Sequence, residues 1–238
     1  MNRSIAGTAS VHPDCTLGEN VVIEDGVTVG KGSEIGHGVV IYEGTLIGDS
    51  VSINANSVIG RQPVSGAIST RKTRKEPPLR IGDGVIIGAC VVLYAGTEIA
   101  DRAMIADLAS VREGCTIGED AIIGRSVTVE YETVVGARAK IQTACYLTGN
   151  MVIEEDVFFG PEVSTTNDKY MDREKIEFKG PHVKKGAAIG SNATLMSGVV
   201  IGENATVGAG AVVTKDVPDG VTVIGVAARP MVRDREGE

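Results

Sequence analysis

Histidine is scarce in this chain, and the scarcity narrows the chemistry on offer. Only His12, His37 and His182 carry an imidazole. No two of them stand at ligand spacing, so no metal site is expected. His182, at the end of a polar stretch, is the one histidine that could reach other polar groups as a base. The run Thr165, Thr166, Asn167, Asp168 is a better place to hold an amine. An amide or carboxylate beside a nucleophilic amine can orient it and take its proton after attack. Cations gather elsewhere: Arg61, Arg71, Lys72, Arg74, Lys75 and Arg80 lie in one segment of a chain with net charge −8. Such clustering in an acidic protein points to phosphate recognition, the competing reading being a merely soluble loop.

A six-residue repeat positions these groups. Aliphatic residues recur at Ile5, Val11, Leu17, Ile23 and on to Ile59, resume at Ile81 and run to Phe159, then resume from Val183 to Val213. Four places after the aliphatic comes a small or compact residue, such as Val21, Ser33, Thr45, Ala103 or Ala187. Hexads of this regularity predict an all-β parallel β-helix, in which both positions face a narrow prism. Glycine often follows the aliphatic and is expected to relax the backbone at a corner. Roughly thirty hexads, three to a rung, make about ten rungs spaced ~4.8 Å apart.

Two excursions break the beat, at about 61–80 and about 166–182. Both leave from one edge of the prism. Two edges carry glycine after the aliphatic, whereas the third carries Glu24, Tyr42, Tyr94, Arg112, Glu130 and Thr148. The next residues along it include Arg61, Glu113, Tyr131, Gly149 and Asn167. Tyr94, Arg112, Glu113, Tyr131 and Thr148, with Arg61, Arg71 and Arg74 of the basic segment, are therefore the expected substrate-binding residues. Gly149 is expected to leave a gap between Tyr131 and Asn167. The loops should emerge about five rungs, or roughly 24 Å, apart, a span suited to an extended pair of ligands. A solvated edge with ion-pair ladders, Arg112 over Glu130 for instance, is the plainer alternative.

Composition excludes several classes. The charge of −8, the absence of Trp and 3% aromatics argue against a nucleic-acid partner. Gly or a charge interrupts every apolar run, so no membrane span is expected. The opening MNRSIAGTAS has no signal-peptide core, which makes the cytoplasm the expected location. Cys15, Cys115 and Cys145 occupy the small inward place and Cys90 has no CxxC partner, so no disulfide framework is expected. The unbroken repeat predicts one domain over 1–238, with a C-terminal extension at 218–238.

The segments DVFFGPEVSTTNDKY (156–170) and KGPHVKKGAAIGSNATLMSGVVIGENATVGAGAVVTKDVPDG (179–220) resemble those of the hexapeptide-repeat N-acyltransferases that acylate nucleotide-linked deoxyamino sugars from a CoA thioester. The resemblance spans about 81–229. AVVTKDVP is shared by many hexapeptide acyltransferases, whereas TTND with the loop after VFFGP is closer to the sugar-nucleotide branch. Gly225-Val226-Ala227-Ala228-Arg229 departs from the family's Gly-x-Pro-Ala-Arg turn by lacking its proline. The resemblance implies a left-handed β-helix, a homotrimer, acyl-CoA (acetyl-CoA most simply) as co-substrate, and work in surface polysaccharide or glycan biosynthesis. It implies that CoA lies along the C-terminal rungs near Ser197, Ala211, Lys215 and Arg229. Asn167 and Asp168 would be the catalytic pair. Acyl transfer needs a free amine, an aligned thioester and donors for the oxyanion.

Two other classes stay open. One is an O-acyltransferase, or an N-acyltransferase of another small metabolite, which would lean on a histidine base. The other is a non-catalytic β-helix subunit of a larger assembly.

Overall fold

The computed structural model describes residues 3–227. Thirty-two strands, almost all of two residues, wind into a left-handed parallel β-helix with three walls of 11, 10 and 11 strands. Two-residue strands follow from the hexad: four of every six residues are needed to turn a corner. Each strand pairs in parallel with the one a coil away, as in Ile99 with Ile117 and Ile117 with Val135. The column has eleven levels rather than the ten counted from aliphatic beats. Thr165 fills a beat with a hydroxyl, and Thr222–Val223 pairs with Thr206–Val207 after an off-beat interval. The extension expected from 218 therefore still belongs to the column as far as Val223.

Inward positions are closed to solvent. Ile23, Ile41, Ile59, Leu93, Ile117, Ile141 and Phe159 are at most 1% exposed, as are the small residues Val21, Ala103, Ala139 and Ala187. Each fully buried large aliphatic contributes about 1.5–3 kcal/mol, so the repeat is a continuous source of stability. Polar inward residues are satisfied locally. Ser33 donates to the Gly48 carbonyl at 3.1 Å and Thr133 to that of Thr148 at 2.9 Å.

The glycine after the aliphatic has a different job from the one expected. A Cβ on Gly118 would lie 2.5 Å from the Ala137 nitrogen and 2.6 Å from the Gly136 carbonyl carbon. Glycine is needed there because the backbone of the next coil passes too close for a side chain. The left-handed conformation falls two or three residues on, at Gly26 (φ 68°) and equally at Asn20 (57°) and Arg102 (57°). Many side chains other than glycine occupy that turn despite its cost.

Within each coil the chain passes from first wall to second across the polar edge. The excursions 62–79 and 166–181 both interrupt this passage, and pairing resumes across each. Arg80 pairs with Leu46 and His182 with Val152. The solenoid is therefore continuous beneath both loops. Among the described residues no helix is long and apolar enough to cross a membrane.

Candidate active site

The polar edge carries two arginine clusters. Tyr94 lies between Arg61 and Arg112, whose guanidinium carbons stand 5.3 and 5.2 Å from its ring centre. One coil on, Glu113 is 1% exposed and receives both Nε (2.9 Å) and Nη2 (3.1 Å) of Arg112, and also Arg71 from the first loop. Burial alone would raise the Glu113 carboxyl, but the hydrogen bonds from Arg112 and Arg71 overcome it and hold it low. Glu130 is different. Burial raises it, and Arg112 at 3.4 Å only partly compensates.

Arg71 reaches across forty-two residues of sequence to do this. Its guanidinium also stacks on the Tyr131 ring at 4.0 Å and lies 3.4 Å from Glu132. Tyr131 in turn covers Gly149, and its hydroxyl accepts a hydrogen bond from Asn167 Nδ2 at 3.3 Å. The same amide donates to the Gly149 carbonyl at 3.1 Å. The gap expected beside Gly149 is thus filled by the tyrosine ring, because removing one side chain let its neighbour lie flat. Burial pushes the Tyr131 phenol upward, and the Asn167 hydrogen bond opposes it.

Both loops meet over this column. Their exits are five coils apart as expected, yet Thr70 Oγ1 donates to Asp172 Oδ1 at 3.1 Å. The first loop runs along the edge instead of standing away from it. Under it lies a cavity of 210 Å³ lined by Val64, Ser65, Ser69, Arg71, Thr73, Arg112 and Tyr131. A larger cavity of 440 Å³ lies on the other side of the loop's neck, among Tyr42, Glu24, Glu43, Gln62 and Glu76. Of the residues singled out in the sequence, the 450 Å³ groove on the second wall holds only Arg80.

Several sequence expectations change here. Asp168 points into its own loop: its carboxylate accepts the N–H groups of Tyr170 (2.7 Å), Met171 (2.9 Å) and Asp172 (2.6 Å). The Asp172 N–H contributes most to keeping this carboxyl below its usual range, with burial opposing. Asn167, not Asp168, faces Tyr131. Thr148 is 3% exposed, so it lies beneath the surface it was expected to line. Three cations of the basic loop are already engaged within the protein. Arg71 is paired as above, Arg74 Nε meets Glu76 at 3.1 Å, and Lys72 donates to the Gly66 and Ala67 carbonyls.

At the C-terminal coils, Ser197 Oγ donates to the Lys179 carbonyl at 3.0 Å, and the Ala211 N–H is already given to the Gly208 carbonyl. Lys215 is exposed, whereas Arg229 lies outside the described residues. Sequence reasoning gave His182 no carboxylate partner. Its Nε2 stands 2.7 Å from Glu154 Oε1, while Glu154 Oε2 accepts the Lys185 N–H at 2.9 Å. That N–H, more than the imidazole, keeps the Glu154 carboxyl low. The pair is invisible in sequence because the second loop lies between its members and sets them twenty-eight residues apart instead of about eighteen. Among the described residues no group of three or more His, Cys, Asp and Glu side chains could hold a metal ion.

Coil geometry and repeat together define a class. The bacterial transferase hexapeptide (six repeats) matches residues 180–215, and the hexapeptide repeat of succinyl-transferase matches 10–43 and 78–106. The chain carries the hexapeptide repeat of bacterial transferases and resembles the sugar acyltransferases built on it. Among solved structures it is similar to the UDP-N-acetylglucosamine acyltransferase of Francisella novicida, at 19% identity and a TM-score of 0.54. The alignment covers 94% of this chain and 65% of that enzyme, so the chain spans just under two thirds of its length, and the likeness is one of fold. LpxA from Acinetobacter baumannii aligns at 16% identity over 94% of this chain and 70% of its own, with a TM-score of 0.46. A GDP-perosamine N-acetyltransferase variant from Caulobacter crescentus, in complex with CoA and GDP-perosamine, aligns at 17% identity over 96% of this chain and 56% of its own, with a TM-score of 0.25. No curated protein matches the sequence.

Proposed function

We propose that this protein transfers an acyl group, acetyl most simply, from acyl-CoA to the amine of a nucleotide-linked deoxyamino sugar, for surface polysaccharide or glycan biosynthesis. One observation carries the reading. Both interruptions of a hexapeptide-transferase column leave from a single polar edge; the first roofs a small cavity there, and the second meets it at Asp172. The cavity offers the Ser65, Ser69 and Thr73 hydroxyls, together with those N–H groups of Arg112 that Glu113 and Glu130 leave unused, as donors to a nucleotide's phosphate oxygens. Asn167 and the Tyr131 hydroxyl present an amide and a phenol to orient an amine. In transfer, the amine attacks the thioester carbonyl, the tetrahedral oxyanion collapses, and the CoA thiolate leaves. The ammonium formed gives up one proton, and Glu130, a carboxylate that burial raises and that directly precedes Tyr131 on this edge, is the group proposed to take it. Lys215 and Ser197 remain the candidate CoA contacts.

Thermal denaturation with CoA and with UDP- and dTDP-amino sugars tests the reading. Ligand at 100 Kd stabilises the folded state by about 2.7 kcal/mol. No shift with any of them, and no thiol release in their mixture, would reject it in favour of a non-catalytic assembly subunit.

A second reading has its own observation. The His182–Glu154 pair has the geometry of a base with its orienter, which suits attack by a hydroxyl and therefore O-acylation. In either case the active form is proposed to be a homotrimer. Ile86 (48% exposed), Met104 (40%) and the half-buried Ile122 form an apolar strip in register on the third wall, and Lys140 separates it from the exposed Phe158. Sedimentation equilibrium should give three copies, and a monomer at micromolar concentration would reject this.

A further inference from the structure

The geometry points to a lid: residues 63–75 close over the cavity, and Arg71 is the positioning residue that latches them and sets Tyr131 and Asn167. This deepens the amino-sugar reading by assigning Arg71 to closure instead of direct substrate contact.

Four features support it. The neck is pinned by a reciprocal pair, in which Gln62 Nε2 donates to the Glu76 carbonyl and the Glu76 N–H returns to Gln62 Oε1, each at 2.9 Å. Above that neck the loop is tied to itself, with Lys72 Nζ on two carbonyls and the Ser69 N–H on the Gly66 carbonyl at 3.2 Å. A loop closed at its base and bonded within itself moves as a unit. Its apolar residues bury little, Ile68 being 99% exposed and Val64, beside the cavity, 78%. What holds the tip down is therefore Arg71, on Glu113, Glu132 and Tyr131, with Thr70 on Asp172.

The latch can open without stranding a buried charge. Glu113 keeps two hydrogen bonds from Arg112 when Arg71 leaves, and Arg71 is already 24% exposed on its way to water. A single-partner buried pair would resist such release. Closing has a consequence at the site. Arg71 presses the Tyr131 ring onto Gly149, and the Tyr131 hydroxyl holds the Asn167 amide. Lid position and the orientation of the amine-binding groups are thus one event. Through Thr70 and Asp172, the second loop shares in it.

The test compares wild type, Arg71→Ala and Arg71→Lys in the full chain by hydrogen exchange, with nitration of Tyr131 by tetranitromethane followed by peptide mass spectrometry. In Arg71→Ala, exchange over 63–75 and 168–172 should rise together by about tenfold. Tyr131 nitration should accelerate while Tyr42 stays unchanged. Arg71→Lys should fall between, since an ammonium keeps the charge but loses the planar stack. Unchanged exchange in 63–75 overturns the proposal. So does a rise without faster Tyr131 nitration, or uniform acceleration over the coils, which would make Arg71 a staple of the fold. These readouts need no substrate, so they stand or fall apart from the amino-sugar reading. In turnover, Arg71→Ala should lower kcat with KM for the nucleotide sugar nearly constant. A raised KM at unchanged kcat would return Arg71 to direct substrate contact.

Discussion

The ring of Tyr131 lies flat on Gly149, so that a methyl group at position 149 would come within 2.6 Å of Tyr131 Cζ. Gly149→Ala should therefore lift the ring without unfolding the coil, because the clash is with a side chain and not with backbone. Melting temperature is expected to shift by a few degrees at most, and turnover to fall about tenfold as Asn167 loses its partner. Gly118→Ala is the contrast, since its Cβ would meet the backbone of the next coil at 2.5 Å. Equal activity losses with equal melting losses in the two variants would contradict this account.

Asp168 shapes its loop through three N–H groups, and the shaping depends on charge. Its carboxyl sits below the ordinary carboxylate value in the folded protein. The ordering it supplies is thus fully present above the unfolded value of about 3.9 and is lost as pH falls through the lower folded value. Asp168→Ala should speed tryptic cleavage at Lys169 or Arg173 about tenfold while the column melts as before. Cleavage at the wild-type rate would show that the loop holds its shape without this carboxylate.

Asn167 and His182 separate the two catalytic readings. If the amine is oriented by Asn167 and Tyr131, Asn167→Ala should lower kcat roughly ten- to a hundredfold and His182→Ala should change little. Near-complete loss in His182→Ala and in Glu154→Gln, with Asn167→Ala active, would establish the histidine base.

Thiol chemistry should follow the inward and outward places of the hexad. Burial pushes Cys115 up to about 12 and Cys145 up to about 11, whereas Cys90 is exposed. Ellman's reagent should find Cys90 at once in the native protein, and Cys115 and Cys145 only after denaturation. Rapid reaction of Cys115 would mean that the coil around Glu113 opens easily.

The sequence made the column readable because inward places tolerate so little: an aliphatic such as Ile117 and a small neighbour such as Ala121 are both fully buried. It made the special edge readable because polar bulk there departs from the glycine of the other two. The eighteen-residue register made Arg112 over Glu130 readable, a pair the structure holds at 3.4 Å, but contacts that depend on how the loops settle were not. Arg71 finds Glu113 only after the first loop folds along the edge, and His182 finds Glu154 only across the second loop. Asp168 misled for a related reason, since a carboxylate next to Asn167 in sequence turns to its own backbone when the loop supplies three donors. The glycine after the aliphatic was recognised by position but not by cause, as close approach of the next coil leaves no local trace.

Stacking also fixes how such a protein can vary. Neighbouring coils are eighteen residues apart in sequence, as Arg102 and Asp120 are. Inserting one coil between the two loop exits would move them apart by about 4.8 Å, and no smaller change keeps the register. The separation of the loops is therefore quantised. A 3.1 Å hydrogen bond from Thr70 to Asp172 survives at only one value of it. The reach of the first loop and the number of coils beneath it must change together, so a chain with one more coil here would need a longer first loop to close the same roof.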